Sequence, residues 1–435
     1  MVETPSISRR RLLSAAGVGA TAALAGCTAD SPDALTPDVD TTGWPMAGHD
    51  PGHTSHNPHA TPPTGEPTVA WRAQYTAPYP QYARTPNPVI ADDRLLIGGK
   101  TLDCYDARTG AHRWTHDPAE PVYGLAIHDG TAYATRWERE GGATLAAYRL
   151  PDAASEWSVS PDWGLLTPPL VANGDVFVAD TTRLFTLDAS EGTVHWTVEK
   201  FPFSFAPAVT ADSVYLTRPV RRVTRLSRSH GLLDRLLGSP PNTLWTNQVT
   251  GRLTFTPAAR GDTAFVPVSR FGRFESENDG TLTALAADGT ERWRRIVGSQ
   301  CLSPAVTAET VYAVTNRTTD TAIRNDVRYS ARDATIRAYD AQTGKPRWSR
   351  HYPRLGGGGA PPVTADGVVY AALAGNPEPV DDAPKEPVLV AVDDSGERWR
   401  RTLSAPAVRL VLAGDFLYAA LRDGTLLALT DGPGA

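Results

Sequence analysis

The chain has 435 residues and a formal net charge of −6 at pH 7, so it lacks the basic balance that is typical of nucleic-acid-binding proteins. Hydrophobic residues make up 41% of the sequence, which is enough for a packed core. No uninterrupted apolar stretch reaches the roughly 18 residues of a membrane-spanning helix, which excludes a polytopic membrane protein. The 37 Gly and 37 Pro predict frequent turns and few long helices.

Residues 1–26 have the pattern of an export signal. Arg9 and Arg10 precede a mild apolar stretch of small residues, and this arrangement resembles a twin-arginine signal. The sequence 24–27, Leu-Ala-Gly-Cys, resembles a lipobox, in which the Cys receives the lipid after cleavage. We therefore expect export, lipid attachment at Cys27 and a position on the outer face of the cytoplasmic membrane. The alternative is an ordinary cleaved signal in which Cys27 is incidental.

The next two segments differ in character. Residues 27–43 are polar and acidic and are expected to form a disordered tether. Residues 44–67 form an entry segment in which four His fall within eleven residues. Such spacing could bring several imidazoles to one metal ion, or the His could belong to a polar segment packed across the fold. We favour packing and predict no metal at His49, His53, His56 and His59.

From residue 68 onward the chain is a repeat. Eight Trp recur at intervals of 39 to 55 residues, and each closes a unit of four short alternating segments separated by Asn-Gly, Asp-Gly or similar turns. Four-stranded units at this period predict a β-propeller, with one Trp per unit wedged between neighbouring blades. The predicted wedge residues are Trp71, Trp114, Trp157, Trp196, Trp245, Trp293, Trp348 and Trp399.

The two ends of the repeat complement each other. The strand around Trp71 has no three strands before it, and the segment 407–430 has no Trp strand after it. We therefore predict a single all-β domain over 68–435, with eight four-stranded antiparallel blades and a ring closed by the N-terminal strand. The alternative is seven blades with a loose N-terminal arm.

The clearest unit, residues 168–196, resembles the pyrroloquinoline-quinone-like repeat. This repeat occurs in quinoprotein dehydrogenases and in the outer-membrane assembly lipoprotein B family. The resemblance covers residues 68–430, and Trp44–His53 is similar to the entry segment of the superfamily. It implies the propeller fold strongly and a function weakly, because one fold hosts many chemistries.

The enzymatic alternative implied by this resemblance is a quinone-dependent oxidoreductase with Ca²⁺ beneath the quinone. Quinoprotein alcohol dehydrogenases usually carry two adjacent Cys at the cofactor, whereas Cys104 and Cys301 are far apart in this sequence. No serine-hydrolase elbow, phosphate-binding loop or HExxH motif is present. We therefore predict no catalytic residues and no cofactor.

The functional prediction concerns one face of the ring, where we expect a binding surface. The connection between the second and third strands is enlarged in three consecutive units, at 269–279, 317–332 and 374–386. Aromatic residues at strand ends should meet on that face, where they could bind a protein, peptide or glycan or could pack on each other. We predict a monomeric, lipid-anchored binding or assembly scaffold, with an extracellular ligand sensor as a further alternative. The candidate binding residues are Tyr79, Tyr82, Trp137, Trp163, Phe271 and Phe274.

Overall fold

The computed structural model describes most of the chain from residue 42 onward. The export signal and most of the predicted tether, with Arg9, Arg10 and Cys27, lie outside the described residues. The described ranges are 42–76, 87–118, 120–138, 142–150, 152–160, 163–199, 205–218, 222–228, 239–249, 253–269, 280–324, 327–357, 359–375 and 386–432.

Every regular element in these ranges is a β-strand. The strands of the first half are β1 (Thr68–Gln74), β2 (Val89–Ala91), β3 (Arg94–Ile97), β4 (Leu102–Asp106), β5 (His112–His116), β6 (Val122–His128), β7 (Thr131–Glu138), β8 (Gly142–Arg149), β9 (Ala154–Val159), β10 (Leu170–Ala172), β11 (Asp175–Ala179), β12 (Leu184–Asp188), β13 (Val194–Val198), β14 (Ala208–Val209), β15 (Ser213–Arg218), β16 (Arg222–Ser227) and β17 (Thr243–Gln248).

The second half continues the pattern with short inner pieces and one long pair. Its strands are β18 (Leu253–Thr254), β19 (Ala258–Arg260), β20 (Thr263–Ser269), β21 (Gly280–Leu285), β22 (Glu291–Gly298), β23 (Gln300–Cys301), β24 (Ala305–Val306), β25 (Thr310–Arg324), β26 (Val327–Asp340), β27 (Pro346–Tyr352), β28 (Leu355–Gly357), β29 (Val363–Ala365), β30 (Val368–Gly375), β31 (Val388–Val392), β32 (Glu397–Thr402), β33 (Ala407–Ala413), β34 (Phe416–Leu421) and β35 (Thr425–Thr430).

These strands form eight antiparallel sheets, which are the blades of a β-propeller. Blade 1 is β2–β5, blade 2 is β6–β9, blade 3 is β10–β13 and blade 4 is β14–β17. In blades 5, 6 and 7 the first strand is split into two short pieces that both pair with the second strand. The first strands of neighbouring blades contact one another around the central axis. The predicted eight-bladed, all-β architecture is confirmed.

The ring is closed by the N-terminal strand, as predicted. Blade 8 has the order β1-β35-β34-β33, so its outermost strand comes from the beginning of the domain. Pairing runs from Thr68 opposite Thr430 to Gln74 opposite Thr425. Closure satisfies the backbone groups of an edge that would otherwise be open to other chains.

The Trp of each outer strand lies against the following blade. The Trp71 indole Nε1 of blade 8 donates to the Ala107 carbonyl of blade 1 at 2.9 Å, and Trp293 of blade 5 donates to Ala341 of blade 6 at 2.9 Å. Trp157 and Trp245 make the equivalent bonds to Ala189 and Ala287. These carbonyls belong to the turn between the third and fourth strands of the next blade, so each bond links two blades.

The recurring aromatic residue of the second strand completes this contact. Tyr133 of β7 stacks at 5.9 Å on Trp157, and its hydroxyl donates to the same Ala189 carbonyl at 3.1 Å. Tyr418 and Trp71 share the Ala107 carbonyl in the same way. The sequence pair of second-strand Tyr and fourth-strand Trp therefore forms one structural unit.

Glycine is required where the indole meets the next turn. Gly192 has φ +71°, and a Cβ at this position would lie 2.6 Å from Cε3 of Trp157. Gly110 and Gly344 face Trp71 and Trp293 in the same manner. The Gly of the Asp-x-x-x-Gly turn thus provides both a left-handed backbone and room for the neighbouring blade.

The closing blade lacks this turn, because its third and fourth strands come from opposite ends of the domain. The Trp399 indole of blade 7 donates instead to the Pro63 carbonyl at 3.0 Å, just before β1 begins. Tyr370 donates to the same carbonyl at 3.1 Å. The end of the entry segment therefore replaces the missing turn.

Within the described residues, no helix has the length and hydrophobicity needed to cross a bilayer.

The contact between Trp157 and Gly192 can be tested inside blade 3. Gly174 has φ +76° and no atom within 4 Å of an added Cβ, so Gly174→Ala introduces backbone strain alone and should cost about 1 kcal/mol. Gly192→Ala adds a collision with the Trp157 ring, so we expect about 2 kcal/mol more. Denaturant unfolding of both variants measures the difference, and equal losses would contradict the packing described.

Candidate functional site

One position in each blade lies at the same level around the central axis. The first two strands of each blade form a hairpin whose last paired residues face each other, such as Ala172 and Asp175 in blade 3 or Ala413 and Phe416 in blade 8. The position in question is the residue four places before the first member of this closing pair. We call this set the axial ring. Its members in blade order are Asn87, Gly124, Pro168, Ala206, Thr256, Ser303, Pro361 and Arg409.

The axial ring is uncharged except at blade 8. The residue after it is Pro in six blades, and Pro has no N–H to leave unpaired where the strand begins. Blade 2 has Leu125 there, and its N–H donates to Asn87 Oδ1 at 3.1 Å while Asn87 Nδ2 donates to the Leu125 carbonyl at 3.0 Å. In blade 8 the strand runs on through Arg409, which pairs opposite Ala420 after a register shift.

The entry segment lies across the ring and forms the floor of a cavity. Ile127 of blade 2 donates to the Pro45 carbonyl at 2.7 Å, and Val306 of blade 6 donates to the Thr54 carbonyl at 2.7 Å. Equivalent backbone bonds reach the first strands of blades 1, 4, 5 and 7, and Asn57 Nδ2 donates to the Leu412 carbonyl of blade 8 at 2.9 Å. The channel is therefore closed at this level by main-chain bonds.

The His of this floor do not assemble a metal site. His49 and His53 are buried, His56 is half-buried and His59 is exposed. No group of three or more His, Cys, Asp or Glu that could hold a metal occurs within the described ranges. Burial would raise the pKa of Asp50, but the nearby His49 imidazole and hydrogen bonds from Thr54 outweigh burial and hold the pKa below its ordinary value.

His53 is held as a neutral imidazole. Its exposed fraction is 7%, and its Nε2 has no hydrogen-bond partner in the part of the chain that the structure describes. Burial lowers its pKa to about 4, although the nearby Asp50 carboxylate opposes the shift. The floor thus contains a His that folding keeps uncharged.

Above the floor is a cavity of about 410 Å³, which is large enough for a small organic molecule. Seven of the eight residues of the axial ring, all but Gly124, line its wall, and Gly48, His53 and Ser55 of the entry segment line its base. Phe205 and Phe255 lie on one side with ring centroids 5.3 Å apart. Arg409 stands in the wall contributed by blade 8.

Arg409 has no acidic partner among the described residues. Its Nη1 donates to the Val408 carbonyl at 2.9 Å, and none of the described carboxylates forms an ion pair with it. Burial lowers the pKa of Arg409, and interaction with Tyr75 partly opposes this shift. Because a guanidinium stays protonated in proteins, the cavity carries a positive charge. Sequence reasoning could not identify this role, because only the strand register shows that Arg409 occupies the axial ring.

The described aromatic candidates, Trp163 and Trp137, both pack against the core to different degrees. Trp163 is 4% exposed and packs at 4.6 Å on Phe185, so its ring lies in the core rather than on the surface of the face. Trp137 is half-buried and meets Tyr123, a cavity-lining residue, edge to face at 6.3 Å. The remaining candidates, Tyr79, Tyr82, Phe271 and Phe274, lie outside the described residues.

The enlarged connection of blade 6 is a β-hairpin rather than a loop. β25 and β26 remain paired from Arg317 opposite Asp333 to Arg324 opposite Val327. The backbone leaves the core at this point, since Asn316 is buried and Arg317 is exposed. Ile323, near the tip, is 75% exposed. Most of the other two enlarged connections, 270–279 and 376–385, lies outside the described residues.

The described cavity does not fit a quinone with Ca²⁺. Calcium takes six to eight oxygen ligands that usually include carboxylates, and the described lining contains no Asp or Glu. Cys104 and Cys301 are free and buried in different blades, and burial raises the pKa of their thiols to about 11 and about 12. We therefore derive no catalytic step through a quinone.

Comparison with known proteins gives one family and several structures. A family model described as outer membrane protein assembly factor BamB matches residues 98–234 and 332–434, together more than half of the chain. The crystal structure of BamB from Moraxella catarrhalis is similar, with 17% identity and a TM-score of 0.57 over 84% of this chain and 100% of that chain. None of the curated protein sequences matches the chain significantly.

Two solved enzymes share the fold at lower identity. The quinohemoprotein alcohol dehydrogenase ADHIIG from Pseudomonas putida HK5 has 11% identity and a TM-score of 0.61, covering 91% of this chain and 81% of that chain. A europium-containing methanol dehydrogenase has 10% identity and a TM-score of 0.53, covering 88% and 90%. At such identities the likeness establishes the propeller fold alone.

The neutral His53 predicts acid sensitivity of the floor. Between pH 6.5 and about 4 the unfolded chain binds a proton at His53 that the folded chain excludes, so the free energy of unfolding falls as pH drops through this range. The full loss is on the order of 3 kcal/mol. His53→Gln should reduce the pH dependence of the unfolding midpoint without abolishing it, because burial also lowers the pKa of His56 to about 4. His351→Gln, at an exposed residue, should not reduce it. Parallel curves for native protein and His53→Gln would contradict this.

Proposed function

Because the chain belongs to the family of the outer membrane protein assembly factor BamB, we propose that it is a non-enzymatic binding and assembly scaffold of the cell envelope. The observation that carries this proposal is the hairpin of blade 6, which extends from a closed ring of blades. The chemistry of the described cavity supports the same conclusion, because its lining offers no carboxylate for metal-assisted catalysis.

The hairpin suits contact with a partner because it projects while remaining ordered by strand pairing. Arg317, Thr319 and Asp320 are exposed, and the exposed Ile323 lies among these polar residues. An apolar side chain surrounded by polar and charged groups is the usual composition of a protein-binding surface. Because both strands continue from the sheet of blade 6, less conformational entropy is lost on binding than with a flexible loop.

A second exposed Ile extends this surface onto blade 5. Ile296 is 67% exposed near the end of β22, and β22 contacts β25 of the neighbouring blade. Ile296 and the hairpin segment 317–332 therefore form a surface across two blades, which we call the hairpin surface. Its partner class is a protein of the envelope.

We include the lipid anchor in the proposal. Export through a signal containing Arg9 and Arg10 and acylation of Cys27 would hold the propeller at the outer face of the cytoplasmic membrane. A multiply acylated Cys gives stable anchoring, whereas one chain gives marginal binding.

The anchor can be tested by fractionation of intact cells. The native chain should sediment with membranes after washing at high salt, and Cys27→Ala should be found in the soluble fraction because it lacks the acylated thiol. Cys104→Ala is the matched control, since Cys104 is buried in blade 1 and far from any lipid. Membrane sedimentation of Cys27→Ala equal to that of the native chain would contradict lipid attachment at this residue.

The hairpin surface can be tested by removing the outer part of the hairpin and keeping the pairing of the strands that remain. Thr318 pairs opposite Arg332, so replacing residues 319–331 by Asn-Gly allows a two-residue turn to close the remaining strands. We expect the shortened chain to lose at least tenfold in partner capture, measured by crosslinking pull-down from intact cells, while its unfolding midpoint stays within a few degrees.

A photocrosslinker placed at single positions provides the matched control. Ile323 and Val194 are both exposed, but Val194 begins the outer strand of blade 3 at the opposite end of the blade. Crosslinks should form from position 323 and not from position 194, and they should disappear in competition with the unlabelled native chain. Identical products from both positions, or full capture by the shortened chain, would contradict the hairpin surface. Dye-linked alcohol oxidation after reconstitution with pyrroloquinoline quinone and Ca²⁺ would overturn the non-enzymatic proposal.

A further inference from the structure

We propose that the central cavity is a binding site for a small organic carboxylate, with Arg409 as the residue that holds the carboxylate group. This site is separate from the hairpin surface. Its existence does not depend on which partner the hairpin surface binds. It rests on the position of Arg409 in the axial ring, on the absence of an acidic partner in the part of the chain that the structure describes, and on the chemistry of the opposite wall.

The position of Arg409 is not explained by packing. At the same level the other blades have Pro, Ala, Gly, Ser, Thr or Asn, and small or rigid residues suffice to begin a first strand there. A guanidinium removed from bulk water without a carboxylate is costly, because the desolvation of the charge is not recovered. Its sole side-chain hydrogen bond to a described residue goes to Val408, its own neighbour in the chain. Arg409 also lines the cavity, so N–H groups that have no hydrogen bond to a described residue can meet an anion there.

The matching anion is a carboxylate, since the planar guanidinium presents parallel N–H groups that fit two oxygens. The other charged candidates on the cavity lining do not compete for it. His53 is neutral at pH 7 because burial lowers its pKa to about 4, and the described lining has no Asp or Glu. An anion entering the cavity therefore meets one positive charge and no negative charge.

The rest of the lining defines the body of the ligand. Phe205, Phe255 and Leu166 form an apolar wall contributed by the connections into blades 3, 4 and 5. Thr256 and Ser303 belong to blades 5 and 6, two or three blades from Arg409 around the ring, and their hydroxyls form no hydrogen bond with described residues. These features select an organic acid with an apolar or aromatic body over a bare inorganic anion. The volume of about 410 Å³ limits this body to the size of a small molecule.

The site can be tested with benzoate as the probe and benzamide as its uncharged counterpart. Titration calorimetry of the purified chain at constant ionic strength should show one benzoate per chain. Benzamide should bind at least tenfold more weakly, because it lacks the charge that pairs with Arg409. Arg409→Gln should weaken benzoate binding by about ten- to a hundredfold, the range expected for a charge-assisted hydrogen bond.

The matched control lies in the same blade. Arg72 is exposed on β1, and its conversion to Gln removes the same charge without touching the cavity. Arg72→Gln should bind benzoate as the native chain does. Without ligand, Arg409→Gln should unfold at or above the native midpoint, because it removes a half-buried charge that has no carboxylate partner among the described residues. The proposal is overturned if benzoate does not bind, if benzamide binds equally well, if Arg409→Gln binds benzoate normally, or if that variant is destabilised without ligand.

Discussion

The docking of a Trp indole beneath a glycine turn of the next blade is the contact on which this structure depends. A blade has no other element of its own to cover its Trp, so the indole becomes buried only when the following blade is in place. The turns that face Trp71, Trp157, Trp245 and Trp293 carry Gly at this point, because a Cβ there would collide with the indole. Eight blades in a ring satisfy every such pair only if the last blade meets the first. The N-terminal strand and the Pro63 carbonyl achieve this, since the first supplies the missing strand and the second the missing acceptor.

Because these contacts lie between the sheets, they leave two regions of the propeller free to vary. One is the face where second and third strands connect, and the hairpin 317–332 can lengthen there without disturbing any indole. The other is the axial ring, whose residues contact the cavity rather than the neighbouring Trp. Pro and small residues occupy most of this ring, so a single Arg409 changes the charge of the cavity while the blade around it keeps the common pattern.

The sequence predicted the architecture well because the wedge residues are periodic. Trp71 and its seven counterparts indicated the blades, and the complementary ends indicated the closing strand. The same reasoning could not identify 317–332 as a hairpin, because most of its residues are polar and the segment lacks the alternation of apolar residues that signals a strand. Nor could it separate Trp163, which is buried against Phe185, from the half-buried Trp137. Arg409 is one arginine among many in the sequence, and strand register alone places it on the axis.

The entry segment links the contacts between the blades to the cavity at the centre of the ring. It makes backbone hydrogen bonds to the first strands around the axis, so it holds the blades together at the centre of the ring. The Trp indoles hold them together at the interfaces between blades. The same backbone bonds close the channel below Arg409 and turn an open passage into a cavity with a floor. Gly52 allows this close approach, because a side chain there would collide with the Ala259 carbonyl. The entry segment and the Trp contacts together stabilise the ring. Their contribution offsets the cost of a guanidinium without an acidic partner among the described residues and of a neutral His53 near the centre, because those contacts do not involve either side chain.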